Sequence, residues 1–177
     1  SGTPLRMATI NGSPTAGTIP STHVFTVHME ENQEYLGEAP GAESLDRWVH
    51  GSFALGSGAG GGPTDYAVTL PGVGGTQLGQ VTVLLCGLTT LDHDVEIAFN
   101  GVSLGTYQWS GFEFYEVSIA DVALVDGVNT LTLTCLSGTD PVDPDGVALD
   151  WVEVAYPRKY EASGNSLKLT HNAGYRY

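Results

Sequence analysis

Cations are what this sequence has least of. Six Lys and Arg stand against 20 Asp and Glu in 177 residues, a formal net charge of -14. None of the six lies between Trp48 and Pro157, while carboxylates recur through that whole interval. Such a surface repels nucleic acid, whose binding selects basic patches. Two readings of the acids remain: solvated groups that aid solubility, or ligands whose repulsion divalent cations relieve. Cysteine is nearly as scarce, with Cys86 and Cys135 alone. They form one bridge in an oxidising compartment, or stay free as small buried hydrophobes. No apolar run is long enough to span a bilayer, and no signal-peptide pattern is present. The chain opens Ser1-Gly2-Thr3-Pro4 without a Met, so it reads as a piece of a longer protein.

What is present is period-two alternation. Val95, Ile97 and Phe99 alternate with Glu96 and Ala98, and Leu131, Leu133 and Cys135 alternate with threonines. That spacing marks half-buried strands. Asn100-Gly101 is a strong hairpin signal, because both residues tolerate positive φ, and Asp126-Gly127 reads as a second turn of that kind. Further strands are expected over His23–Met29, Arg47–Phe53 with Trp48 facing the core, Asp65–Leu70, Gln80–Cys86, Val147–Tyr156 and Ser166–Thr170. Val147–Tyr156 is apolar on both faces and so belongs at the centre of a sheet. Residues 1–21 are a loosely tied lead-in with one short edge strand near Leu5–Ile10, and 22–177 form one domain. No helical period appears. Many short strands separated by turns predict an all-β sandwich of two antiparallel sheets. At this length roughly 70% of the unfolded surface is buried without help from disulfides.

The chemistry-bearing residues are scattered. His23, His28, His50, His93 and His171 show no paired metal spacing, and neither Cys has a nucleophile setting, so no catalytic set is assigned. The glycine-rich Gly56–Pro63 stretch lacks the Gly-Lys-Ser/Thr that a phosphate loop needs. Calcium prefers loops rich in carboxylates, and Asp140, Asp143 and Asp145 supply one stiffened by two prolines. Glu30 after the first strand and Asp150 in the last offer a second candidate site. Tyr107 and Trp109 open an aromatic run that either stacks on sugar rings or fills the core. Trp109, beside Ser110-Gly111, is the member expected to be exposed.

The order strand, Asn100-Gly101, Leu104-Gly105, Trp109, strand, Asp126-Gly127-Val128-Asn129-Thr130, strand resembles galactose-binding-like jelly rolls. A closer resemblance is to the non-catalytic sandwich that precedes the protease domain in gingipain-type cysteine peptidases. It is carried by Glu30-x-Asn32-x-x-Tyr35 with Asp46-Arg47-Trp48, and by Asn100-Gly101 with Gly127-Val128-Asn129-Thr130. Its most specific part is Leu149-Asp150-Trp151-Val152-Glu153-Val154-x-Tyr156-Pro157-Arg158 with Asn165-Ser166-Leu167. In that family the catalytic Cys and His lie in the following domain. The resemblance therefore implies a non-enzymatic fragment of a secreted or surface peptidase, whose partner is the adjacent protease domain. An exposed apolar patch over Val154–Tyr160 would mark that docking. The alternative is a carbohydrate-binding module with a structural calcium. Many such jelly rolls hold the ion between a first-strand Glu and a late-strand Asp, and Glu30 and Asp150 are the matching positions.

Overall fold

In a computed structural model that describes residues 21–37, 47–55, 62–137 and 145–161, the alternation becomes eleven strands. They are β1 (Thr22–Glu30), β2 (Glu34–Tyr35), β3 (Trp48–Val49), β4 (Gly51–Leu55), β5 (Thr64–Leu70) and β6 (Leu78–Gly87). β7 (Asp92–Phe99), β8 (Val102–Ser110), β9 (Phe114–Ala123), β10 (Gly127–Cys135) and β11 (Gly146–Lys159) follow. No helix occurs among the described residues. The predicted strands at Leu5–Ile10 and Ser166–Thr170 lie outside them, as does most of the glycine-rich stretch.

The first sheet has the order β1-β11-β6-β9, with β4 also on β11, and the second runs β5-β10-β7-β8; every pairing is antiparallel. β11 is central, as its apolar run predicts. One side of it meets β6, and the other meets β4 along Gly146–Leu149 and β1 along Trp151–Lys159.

Inward residues of both sheets interdigitate as one core. Val95, Ile97 and Phe99 meet Leu131 and Leu133 within the second sheet, and Val81, Val83 and Leu85 face them from the first. Each fully buried side chain of this kind is worth about 1.5–3 kcal/mol. In β11 the inward set changes parity, from Val147 and Leu149 to Val152, Val154 and Tyr156. A register shift between Leu149 and Trp151 inserts Asp150 as the extra residue and turns the strand by one step.

Asn100 and Gly101 adopt φ of 51° and 77° and close the β7–β8 hairpin as predicted. Asp126-Gly127 does not make a second hairpin. β9 belongs to the first sheet and β10 to the second, so the chain crosses between layers there. The buried Asn129 side chain orders that crossing. It accepts from the Val125 N–H and the Asn100 amide, and donates to the Val125 and Gly127 carbonyls. From β4 onward every connection except the β7–β8 hairpin passes from one sheet to the other, which makes the sandwich a jelly roll. Cys86 and Cys135 sit in different sheets, buried and free.

Candidate functional site

Strand alternation turns His93 of β7 inward, at the end of the core next to the β10–β11 connection. Its Nδ1 lies 2.7 Å from Asp145 Oδ1, and its Nε2 lies 2.9 Å from the Gly111 carbonyl. Both partners are acceptors, and only an imidazolium has a proton for each nitrogen. Burial opposes that charge, but the Asp145 hydrogen bond and the Gly111 carbonyl outweigh it and hold the His93 pKa above its ordinary value. Asp145 is displaced the other way. Burial raises it, while His93, Ser137 and Thr89 together pull it below the usual carboxylate value. Both side chains are fully shielded from solvent.

Asp145 is saturated by donors. Thr89 donates to Oδ1 at 2.9 Å, the Ser137 hydroxyl donates to Oδ2, and the Cys135 thiol lies 3.5 Å from the same oxygen. Cys, His, Ser and Asp thus meet in one place, in an order that works against nucleophilic chemistry. His93 spends both nitrogens on acceptors and has none left to take a proton. Burial pushes the Cys135 thiol up, away from the reactive thiolate. The node ties β7, β10 and the start of β11 together.

Those donors occupy the Asp145 oxygens that the sequence reading offered to calcium. Asp143 lies outside the described residues. The second expected pair is separated by burial. Glu30 stands opposite Trp151 on the outer face of the first sheet, where its carboxylate is 2.9 Å from His28 Nε2. Asp150, next to Trp151, is buried on the β11 bulge. Burial and the nearby Asp150 charge push the Cys86 thiol to about 11. Among the described residues no group of three or more His, Cys, Asp or Glu is placed to hold a metal ion.

For the aromatic run the core-filling alternative holds, and only the expected exposure of Trp109 is corrected. Along β8, Gln108 and Ser110 face out, and Tyr107 and Trp109 fall on the inward side opposite Val95 and His93. Trp109 is only 9% exposed; it stacks on Tyr115 at 5.0 Å and 4° and lies 4.8 Å from the His93 ring. Tyr107 packs on the core and donates its hydroxyl to the Leu104 carbonyl at 3.1 Å. Asp92, Asp94, Gln108, Ser110 and Ser137 line an open depression of about 480 Å³ above this region. The patch expected over Val154–Tyr160 is not there as such, because Val154 and Tyr156 are buried in the core and residues 157–160 are half-buried.

Two surface features escaped the sequence reading. On the outer face of the first sheet His28 bridges two carboxylates, with Nε2 on Glu30 and Nδ1 on Glu153, each at 2.9 Å, beside the Trp151 ring at 5.5 Å. The Glu30 hydrogen bond leads in raising its pKa, partial burial opposes, and Glu153 adds to the rise. The other feature is the β2–β3 ribbon, which lies over the outer face of the first sheet near Cys86 and Ala148. Trp48, expected in the core, is 41% exposed and pairs across the ribbon with Tyr35, itself 53% exposed. Their ring centroids are 5.1 Å apart at 55°. Val49 takes the inward position, packing with Cys86 and Ala148. The two-residue strand was too short for its alternation to reveal which neighbour turns in.

No protein-family model matches the chain, and no curated protein matches it. Solved structures do. The chain is similar to part of dimeric latent PorU from Porphyromonas gingivalis, with 12% identity and a TM-score of 0.63 over 87% of this chain and 14% of that one. It is also similar to a CBM36 carbohydrate-binding module in complex with calcium and xylotriose, with 12% identity and a TM-score of 0.44 over 72% and 98% of the two chains. A family 35 carbohydrate-binding module from Clostridium thermocellum aligns at 16% identity and a TM-score of 0.42 over 75% and 90%. At 12% identity the likeness to PorU is one of fold alone.

Proposed function

We propose that the chain is a non-catalytic β-sandwich domain of a longer, secreted or surface-bound gingipain-type cysteine peptidase, where it packs against and supports the protease domain. The observation that carries this reading is one of proportion. The fold accounts for 87% of this chain yet corresponds to only 14% of the PorU chain it matches, as one module inside a much larger protein does. Two further features support it. The Leu149–Arg158 segment that resembles gingipain-type precursors forms the central strand β11, so the resemblance lies on the element that organises the fold. The Cys135–His93–Asp145 node is spent on structure, which leaves the domain its surfaces to work with.

The test is to express the parent chain with and without residues 22–161 and to measure folded, active peptidase in each culture. Deletion is expected to lower the yield of active enzyme severely, while Cys86→Ser in the intact chain leaves peptidase activity unchanged. Full activity from the shortened chain, or peptide hydrolysis by the isolated 177-residue chain, would sink the proposal.

A further inference from the structure

Of the described Trp, Tyr and Phe residues, Tyr35 and Trp48 alone are exposed, and they stand side by side. Exposed aromatic rings set side by side make a contiguous apolar patch, the kind of surface that marks a binding site when polar residues rim it. We infer that this pair is a stacking platform for the apolar face of a pyranose ring in a neutral glycan. The inference goes beyond the accessory role proposed above and does not depend on it.

The platform is held rigidly. Beneath it, Val49 is fully buried against Cys86 and Ala148. Glu34 accepts from both the backbone N–H of Ser52 at 2.9 Å and its hydroxyl at 2.7 Å, tying β2 to β4. Backbone bonds from Gln33 N to the Val49 carbonyl at 3.1 Å, Leu36 N to the Arg47 carbonyl at 2.8 Å and His50 N to the Leu149 carbonyl at 2.9 Å complete the anchorage. With Val49 and Glu34 engaged below, alternation turns Tyr35 and Trp48 outward. A ligand then orders little of the protein on binding.

Size and surroundings select the class of ligand. A stable protein interface needs about 800 Å² on each partner with an apolar centre. Here two rings form an apolar island flanked by exposed Glu31, Asn32 and Gln33, with Arg47 beside them. A pyranose matches that pattern, with C–H groups for the ring faces and hydroxyls at its edge for the polar rim. Inclined at 55°, the rings make a shallow trough rather than one flat wall. The net charge of -14 argues for a neutral sugar over an acidic one.

The test is calorimetry and tryptophan-fluorescence titration of the 177-residue chain with cellohexaose, xylohexaose, mannohexaose and laminarihexaose, with polygalacturonate as the acidic comparator. At least one neutral hexasaccharide is expected to bind, and polygalacturonate more weakly. Trp48→Ala and Tyr35→Ala should each lower affinity at least tenfold with the melting temperature preserved. Tyr35→Phe should retain binding, as a stacking role requires and a hydroxyl-donor role does not. The inference is overturned by no binding of any of the four at millimolar concentration, by a preference for polygalacturonate, or by binding that survives loss of both rings. A dimer in sedimentation that Trp48→Ala dissolves would overturn it as well, since the rings would then cover a second copy of the chain. The deletion experiment on the parent chain reads none of these, so either proposal can fail alone.

Discussion

His93 and His28 are the same chemistry in two environments. Each imidazole holds two acceptors at 2.7–2.9 Å, and each has its pKa raised above the ordinary 6.5. His93 and its carboxylate are fully buried, whereas the His28 side chain is 41% exposed and its two Glu partners face solvent. In water the pair's attraction is screened and its geometry costs side-chain entropy, so a surface bridge is nearly neutral. Inside the core the same contact cannot be exchanged for water. Removing one partner there leaves the other without compensation. Distance alone therefore does not rank these contacts; burial does.

The sharpest way to break the comparison is Asp145→Ala. It strands the His93 ring, leaves Ser137 and Thr89 without their acceptor, and leaves the Cys135 thiol only its Ser137 contacts. A loss of about 3–5 kcal/mol in urea denaturation is expected. A loss below ~1 kcal/mol would mean that the node is not the pin described above.

A buried network with no charge separates burial from ionisation. Asn129 is fully buried and makes four hydrogen bonds at the β9–β10 crossing. Asn129→Ala should cost about 2 kcal/mol, equally at every pH between 5 and 9, by the same denaturation measurement. A cost that varied with pH would place a titrating group in that network.

The histidines impose a pH dependence of definite sign. Because the folded pKa of His93 is raised, its stabilisation is complete below 6.5 and is lost as pH rises through the folded value. Asp145 is lowered, so its contribution is present above 3.8 and is lost as pH falls through its folded value. The pair is intact between those two folded values. Urea midpoints should be level between pH 3.8 and 6.5, fall as pH rises from 6.5 to the folded value of His93 and as it drops from 3.8 to the folded value of Asp145, and Asp145→Ala should flatten the alkaline fall. His28 adds to the alkaline limb with the same sign. An alkaline limb that keeps its full depth in Asp145→Ala would assign it to other groups.

The smallest effect belongs to the surface member. His28→Ala should cost less than about 1 kcal/mol. In 1 M NaCl, where the Debye length is about 3 Å, that cost should shrink further while the cost of Asp145→Ala stays unchanged. Equal salt sensitivity of the two variants would contradict the difference in burial.

The fold was readable because its signals are local. Period-two runs at Val95–Phe99 and Leu131–Cys135, the two-sided apolar run at Val147–Tyr156 and the Asn100-Gly101 turn each state their structure within a few residues. The site residues were not readable in that way, because their roles depend on parity and on distant partners. Gly105, at a φ of 124°, lies at the register shift on the β7–β8 pair, and from there Tyr107 and Trp109 follow the inward side. The bulge at Asp150 does the same for β11. A shift of one residue moves every following side chain to the other face. It leaves only the faintest mark in the sequence.

By itself, then, the sequence determined an all-β sandwich, a central strand at Val147–Tyr156 and an acidic surface, since composition and alternation act through neighbours in the chain. Tertiary structure decided which residues those strands turn in or out: Trp109 buried, Trp48 and Tyr35 outward, Asp145 spent on His93 and Glu30 on His28. The partners of Asp145 come from the β6–β7 turn, β7 and the end of β10, and only packing the two sheets brings those segments to one carboxylate.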